Sequence, residues 1–321
     1  EAALHAVAEI ALIVLLFLDA AQIDQRALLK RRVWPFRMLA VGLPLGFLFG
    51  TALGASLLPE WPLAAVALVA AILAPTDAAL GLVVVTNPVV PERVRQALTV
   101  ESGLNDGLVL PAVLLLASLA AAAEGEQTNW VLFAAKQLLL GPAVGILCGY
   151  VGGRALLFAQ QRALTSDAFE GIGALALAGS AYLAATEVGG NGFISAFCAG
   201  LAFGHVVGQR CKFVFEFTEG DGQLLTWAAF LMLEMALVPD AISQLTAAGL
   251  AIILGSLFVV RPLAIWLSLI GTDASPLTRL FFGWFGPRGL ATALFSLLIV
   301  EKVAVEIAEP VLALAINAVW I

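Results

Sequence analysis

Three short stretches carry the side chains that could do chemistry. In the run from Ala74 to Gly81, Thr76 and Asp77 follow Pro75 directly. In the run from Glu101 to Gly107, two carboxylates, an amide and a hydroxyl fall within six residues. There Ser102, Asn105 and Asp106 stand at i, i+3 and i+4 and share one helical face, while Glu101 and Asn105 are related by i+4. Carboxylate and carbonyl oxygens suit hard cations, and a carboxyl in a semi-dry site can be tuned to take a proton near neutral pH. The third stretch sets Arg288 among the helix breakers Gly286, Pro287 and Gly289. Asp19, in the run Leu16 to Ala20, and Glu234 are further acids inside apolar sequence.

The elements that must position these groups are set by composition. Of 321 residues, 61% are hydrophobic and 12% charged, and the mean hydropathy is +1.01. Soluble domains run at about half apolar and a quarter charged, so this chain cannot coat a water-soluble globule. A soluble enzyme, a disordered tail and a disulfide-rich secreted module are excluded. A bilayer-spanning helix needs about 20 apolar residues, and the apolar content furnishes about ten. The pattern predicts an all-α polytopic membrane protein, with spans at 3–23, 38–58, 63–85, 97–123, 130–153, 170–187, 193–207, 224–239, 245–270, 279–300 and 311–321. Connectors are short, so residues 1–321 are read as a single transmembrane domain. Cys148, Cys198 and Cys211 have no metal-ligand spacing, and His5 and His205 are far apart; packing thiols are the simpler reading. No nucleophile–base set points to an enzyme, and a net charge of −7 argues against a nucleic-acid partner.

Basic residues near span ends stay on the cytoplasmic side. Placing Arg26, Lys30, Arg31, Arg32 and Arg37 there puts Arg93, Arg95, Arg154, Arg162, Arg210, Lys212 and Arg279 on the same side, and only Lys302 opposite. On this map Asp77, Asp106 and Arg288 each lie eight or nine residues from the cytoplasmic end of their spans. At 1.5 Å per residue that is about 12–14 Å, near the middle of a core about 30 Å thick.

Pro75 removes a backbone donor and Gly81 weakens the helix, so the chain is expected to unwind at Thr76 and Asp77. Unwound backbone at membrane depth places substrate in transporters; a simple proline kink, with Asp77 bonded to a neighbouring helix, is the structural alternative. A guanidinium at Arg288's depth needs a carboxylate, and Glu101, Asp77 and Asp106 are the candidates. Lys136 and Arg261 are read as snorkelling from span ends. The glycine-rich run 187–204 reads as close helix packing. Glu234 has no evident basic partner.

At these residues the sequence resembles the monovalent cation:proton antiporters, the family of the sodium/proton antiporters and exchangers. The Thr76-Asp77 stretch is similar to the family's unwound helix, Glu101 to Gly107 to its ion-site helix, and Trp284 to Gly289 to its arginine helix. Leu16 to Ala20 and the run 189–204 match two further helices, all in family order. The resemblance implies a helical bundle with inverted repeats and broken transmembrane helices, in the cell (inner) membrane. It implies exchange of a cation, sodium first and potassium as the alternative, for a proton. Asp106 would bind sodium or the proton; Asp77, Ser102 and Thr76 would help coordinate the cation; Glu101 and Arg288 would form a structural ion pair. Asn105 stands where electrogenic relatives carry a second aspartate, which implies electroneutral exchange. Asp19 would sit at the edge of an ion funnel. A homodimer is implied, as is a chain truncated at both ends relative to the family; no cofactor is implied beyond the transported cation and proton. Read from the residues alone, a cation channel or a non-transporting membrane sensor would use the same groups.

Overall fold

Backbone amides in lipid must bond within their own segment, so apolar runs of this length coil into helices. The computed structural model describes residues 2–23, 33–77, 84, 87–122, 130–208, 231, 235–300, 303 and 305–321, and none of these residues forms a strand. The helices are α1 (Ala2–Gln22), α2 (Val33–Leu57), α3 (Leu63–Ile72), α4 (Glu92–Ala122) and α5 (Trp130–Gln161). They continue as α6 (Asp167–Glu187), α7 (Gly192–Val207), α8 (Ala247–Ser268), α9 (Pro276–Trp284), α10 (Leu290–Val300) and α11 (Val305–Trp320). Five of them, α2, α4, α5, α6 and α8, contain stretches long and apolar enough to cross a bilayer. The fold is all-α and the protein an integral membrane protein. Most of the predicted span 224–239 lies outside the described residues, as do Glu234, Cys211, Gly81 and the basic residues 26, 30–32, 210, 212 and 302.

The chain divides into two compact units. The first takes Glu1–Ala27 and Thr128–Ala229 and holds α1, α5, α6 and α7. Its helices pack through small residues. A Cβ on Gly145 of α5 would strike the Ser195 backbone of α7, and one on Gly200 of α7 would strike the Phe17 carbonyl of α1. Such contact without intervening side chains is how helices associate where no hydrophobic drive separates lipid from protein, and it is what the run 187–204 predicts. Asn191 caps α7 by accepting from the Ile194 amide at 2.9 Å. Asp19 is half-buried on α1.

The second unit takes Leu28–Gln127 and Phe230–Ile321 and repeats one plan in its two stretches. Each contains a long helix carrying a π turn, Met38–Gly42 in α2 and Ser256–Val260 in α8, the latter preceded by a short helix over 235–243. Each turn is followed two residues later by proline, Pro44 or Pro262. A proline ring collides with the carbonyl four residues back, and widening the preceding turn relieves that clash. The next segment in each stretch is broken. Buried on almost every face, α3 ends at Ile72 and residues 75–77 have no regular structure. The predicted span 279–300 is two half-helices, α9 and α10, separated by unwound residues 285–289. Pro75 and Pro287 explain both breaks: each lacks the amide that would continue the ladder and disfavours helix at the residue before it. One long helix closes the first stretch, α4, and α11 the second.

Candidate ion site

The two breaks of the second unit meet. The Asp77 amide donates to the Pro287 carbonyl at 3.0 Å, tying the first break to the second. No side chain could stand at Gly289, where a Cβ would collide with that of Asp77. Carbonyls freed by the first break are taken up from the second. Arg288 donates through Nη1 to the carbonyls of Ala74 (3.3 Å) and Pro75 (3.0 Å), and through Nη2 to the Ser256 hydroxyl at 2.7 Å. A cation thus sits where helix α3 ends and its carbonyls have no intrahelical donors, the position a macrodipole favours.

Against the first break lies the polar face of α4. Ser102 Oγ donates to the Thr76 carbonyl at 2.8 Å, and Asn105 Nδ2 to the same carbonyl at 3.2 Å and to Thr76 Oγ1 at 2.9 Å. Thr76 Oγ1 in turn lies 3.3 Å from Glu101 Oε2 as a donor. The i, i+3, i+4 face read from the sequence is therefore the face that holds the unwound segment. Thr76, Glu101, Ser102 and Asn105 are buried, and Asp77 and Asp106 are half-buried. Asp106 lies near the middle of the 31-residue α4, one turn beyond Ser102. With two hydrogen bonds the Thr76 carbonyl has both lone pairs engaged. The amide oxygen of Asn105 is buried with no partner among the described residues.

One predicted pairing is corrected. Glu101 does not pair with Arg288; its partner is Arg261, with Nη1 3.2 Å from Oε1 and Nη2 3.4 Å from Oε2. Nor does Arg261 snorkel: it is 8% exposed, follows the π turn of α8, and also donates to the Phe285 carbonyl at 3.2 Å. Its Nε lies where a Cβ on Gly286 would be. Arg288 goes elsewhere because the carbonyls freed at Ala74 and Pro75 compete for it and a fork of donors satisfies several acceptors at once. Arg261 and Ser256 are the functional-site residues that sequence reasoning missed. A signal was present: Arg261-Pro262-Leu263-Ala264 repeats the Leu43-Pro44-Leu45-Gly46 pattern, which marks a distorted turn inside a span rather than a span end.

Among the described residues no three of His, Cys, Asp and Glu gather as a metal-binding group. The oxygens around the break come from a threonine, a serine, an asparagine and backbone carbonyls as well as carboxylates. That donor set suits a hard cation and not a thiolate- or imidazole-seeking metal.

Two unwound segments bonded to one another in an all-helical membrane unit, with a polar helix face against the first, define a secondary-transporter fold. Residues 2–320 match the family described as "Sodium/hydrogen exchanger, transmembrane", and the chain belongs to that family. It is a transporter family, not an enzyme class. Among curated relatives, the K(+)/H(+) antiporter NhaP of Alkalimonas amylolytica is 29% identical over 232 residues, 72% of this chain and 40% of that protein. The K(+)/H(+) antiporter NhaP2 of Shewanella oneidensis is 32% identical over 232 residues, 69% of this chain and 38% of that protein. The chain thus spans about two fifths of the length of these relatives. The sodium proton antiporter MjNhaP1 of Methanocaldococcus jannaschii has the same fold, with a TM-score of 0.79 at 21% identity over 97% of this chain and 80% of that structure.

Proposed function

We propose that the protein exchanges a monovalent alkali cation for a proton across the cell membrane by alternating access, as a homodimer. The observation that carries this reading is the clamp on Thr76: three side chains of α4, Glu101, Ser102 and Asn105, hold an unwound segment bonded to a second break. Asp106, on the same face of α4, is the carboxylate that takes either the proton or the cation. When it is protonated the site holds no cation. Once the proton leaves, coordination by Asp77 and Ser102, and by Thr76 where the cation displaces a hydrogen bond of its carbonyl, offsets the cost of the bare charge in a poorly solvated place. Only neutralised forms cross between inward- and outward-facing states, which couples the two flows. Asn105 carries no charge, so one proton moves against one cation. Asp19 is assigned to the approach of the ion.

Asp106→Asn tests the assignment. Dissipation of a pH gradient in proteoliposomes of the full protein, on adding sodium, lithium or potassium, is expected with the wild type and absent from the variant. Cation-dependent flux from Asp106→Asn at the wild-type rate would refute it. The same assay decides the cation. Sodium was the first expectation from sequence; potassium gains support from the names of the relatives aligned over 69–72% of this chain.

A further inference from the structure

Helix α10 carries two hydroxyls, Thr292 and Ser296, and both residues are fully buried. Ser296 does what a helical hydroxyl ordinarily does and donates to a carbonyl of the preceding turn, that of Ala293, at 2.7 Å. Thr51, Ser118 and Ser180 do the same on α2, α4 and α6. Thr292 does not: its Oγ1 is buried with no partner among the described residues. The break explains the difference. Four residues back is Arg288, in the unwound segment, and three back is Gly289, whose carbonyl receives the Thr292 amide at 3.1 Å.

The same turn borders the ion site. A Cβ on Gly289 would fall on Asp77, with Cβ, the carboxyl carbon and Oδ2 the nearest atoms. Residues three apart share one face of a helix, roughly 5–6 Å apart at Cβ, and helical side chains lean towards the N-terminus. Thr292 stands three residues beyond Gly289 in the first turn of α10, so its side chain leans towards the break and the Asp77 carboxylate. On the other side of the Thr76-Asp77 pair, Asn105 of α4 holds Thr76 and leaves its own Oδ1 buried without a partner among the described residues. Two buried neutral oxygens, one on α4 and one on α10, thus flank consecutive residues of the first break. A buried oxygen that bonds nothing has lost its hydration without compensation. Neutral oxygens beside a carboxylate are the donor set of a hard cation, and ligand number and spacing set which cation fits.

We infer that Thr292 Oγ1 is a ligand of the transported cation, completing with Asp77 the side of its shell that faces α10. The inference rests on the proposed exchange and adds a residue to its site. A cation held in this way bridges the second break to the polar face of α4.

Thr292→Val keeps the shape of the side chain and removes the oxygen. In proteoliposomes of the full protein, the KM for whichever of sodium, lithium or potassium drives exchange is expected to rise about tenfold or more, with the maximal rate little changed. Thr292→Ser keeps an oxygen and is expected to restore the wild-type KM. Without alkali cation, Thr292→Val is expected to melt at or above the wild-type temperature, because the lost hydroxyl made no bond. Added cation is expected to raise the melting temperature of the wild type more than that of the variant. An unchanged KM in Thr292→Val would overturn the inference and leave the hydroxyl to water only, as would Thr292→Ser impaired as much as Thr292→Val. A Thr292→Val protein that melts below the wild type without cation would also overturn it, by marking a structural bond. A wild type without cation-dependent flux would overturn the exchange reading and this inference together. Should Thr292→Val not fold, Thr292→Ala against Thr292→Ser makes the same comparison.

Discussion

At the residue scale, the site depends on how buried charges are compensated. Glu101 is 4% exposed and is tolerated because Arg261 engages both its oxygens. Removing one partner of a buried pair costs about 3–5 kcal/mol, since the other is left desolvated and alone. Arg261→Ala is therefore expected to lower the melting temperature in detergent sharply, and Arg261→Lys to recover only part of the loss, because an ammonium cannot reproduce the two-pronged contact. An unchanged melting curve for Arg261→Ala would count against the pair. Gly289 makes a second residue-scale case. Its missing Cβ leaves the room that Asp77 fills, so Gly289→Ala is expected to abolish cation-dependent proton flux while the protein still inserts and purifies; wild-type flux would show that the site does not need the close contact of Asp77 with Gly289.

At the element scale, helix ends are fixed by ties outside the apolar spans. The loop between α8 and α9 presents Asp273, which receives Arg93 of α4 through two bonds at 2.5 and 2.9 Å and the Trp34 indole of α2 at 2.8 Å. The Arg93 guanidinium also lies 3.7 Å over the Trp34 ring. These bonds, Arg93's first and then Trp34's, hold the Asp273 carboxyl below the usual aspartate range. A depressed carboxyl contributes stability that is present above its unfolded pKa and lost as pH falls through the folded value. Asp273→Asn is thus expected to melt below the wild type at neutral pH, with the gap closing below the ordinary aspartate value of about 3.9. The tie is exposed, so the gap should be small and shrink with salt. Beneath it the ends of α2, α4, α8 and α9 share an apolar cluster that includes Met38, Leu98, Leu269 and Phe282. That cluster fixes the approach of α9 to its break.

At the scale of the whole molecule, the repeated plan of the second unit accounts for two breaks in one site. Each stretch supplies a long helix with a π turn and then an interrupted one, so two weakened segments are available to meet. In the proposed exchange Asn105 carries no charge, so one cation would move for one proton with no net charge. Imposing a membrane potential across proteoliposomes should leave the exchange rate unchanged. A rate or direction that follows the potential would point to a channel or an electrogenic cycle.

Sequence alone determined the class and most of the residues that gather at the two breaks. Apolar content demands helices in a bilayer, prolines at 75 and 287 demand breaks, and i+3 and i+4 spacing demands that Ser102, Asn105 and Asp106 share a face; each is a local rule of backbone geometry. Tertiary structure alone decided which guanidinium meets Glu101. Arg261 and Arg288 are both charged residues beside prolines in apolar runs, and neither local pattern says which of them reaches Glu101. The choice depends on a π turn that brings Arg261 to Glu101 and on carbonyls exposed by a break more than two hundred residues away in the chain from Arg288. Competition among acceptors is settled by distance in space, which spacing along the chain does not encode.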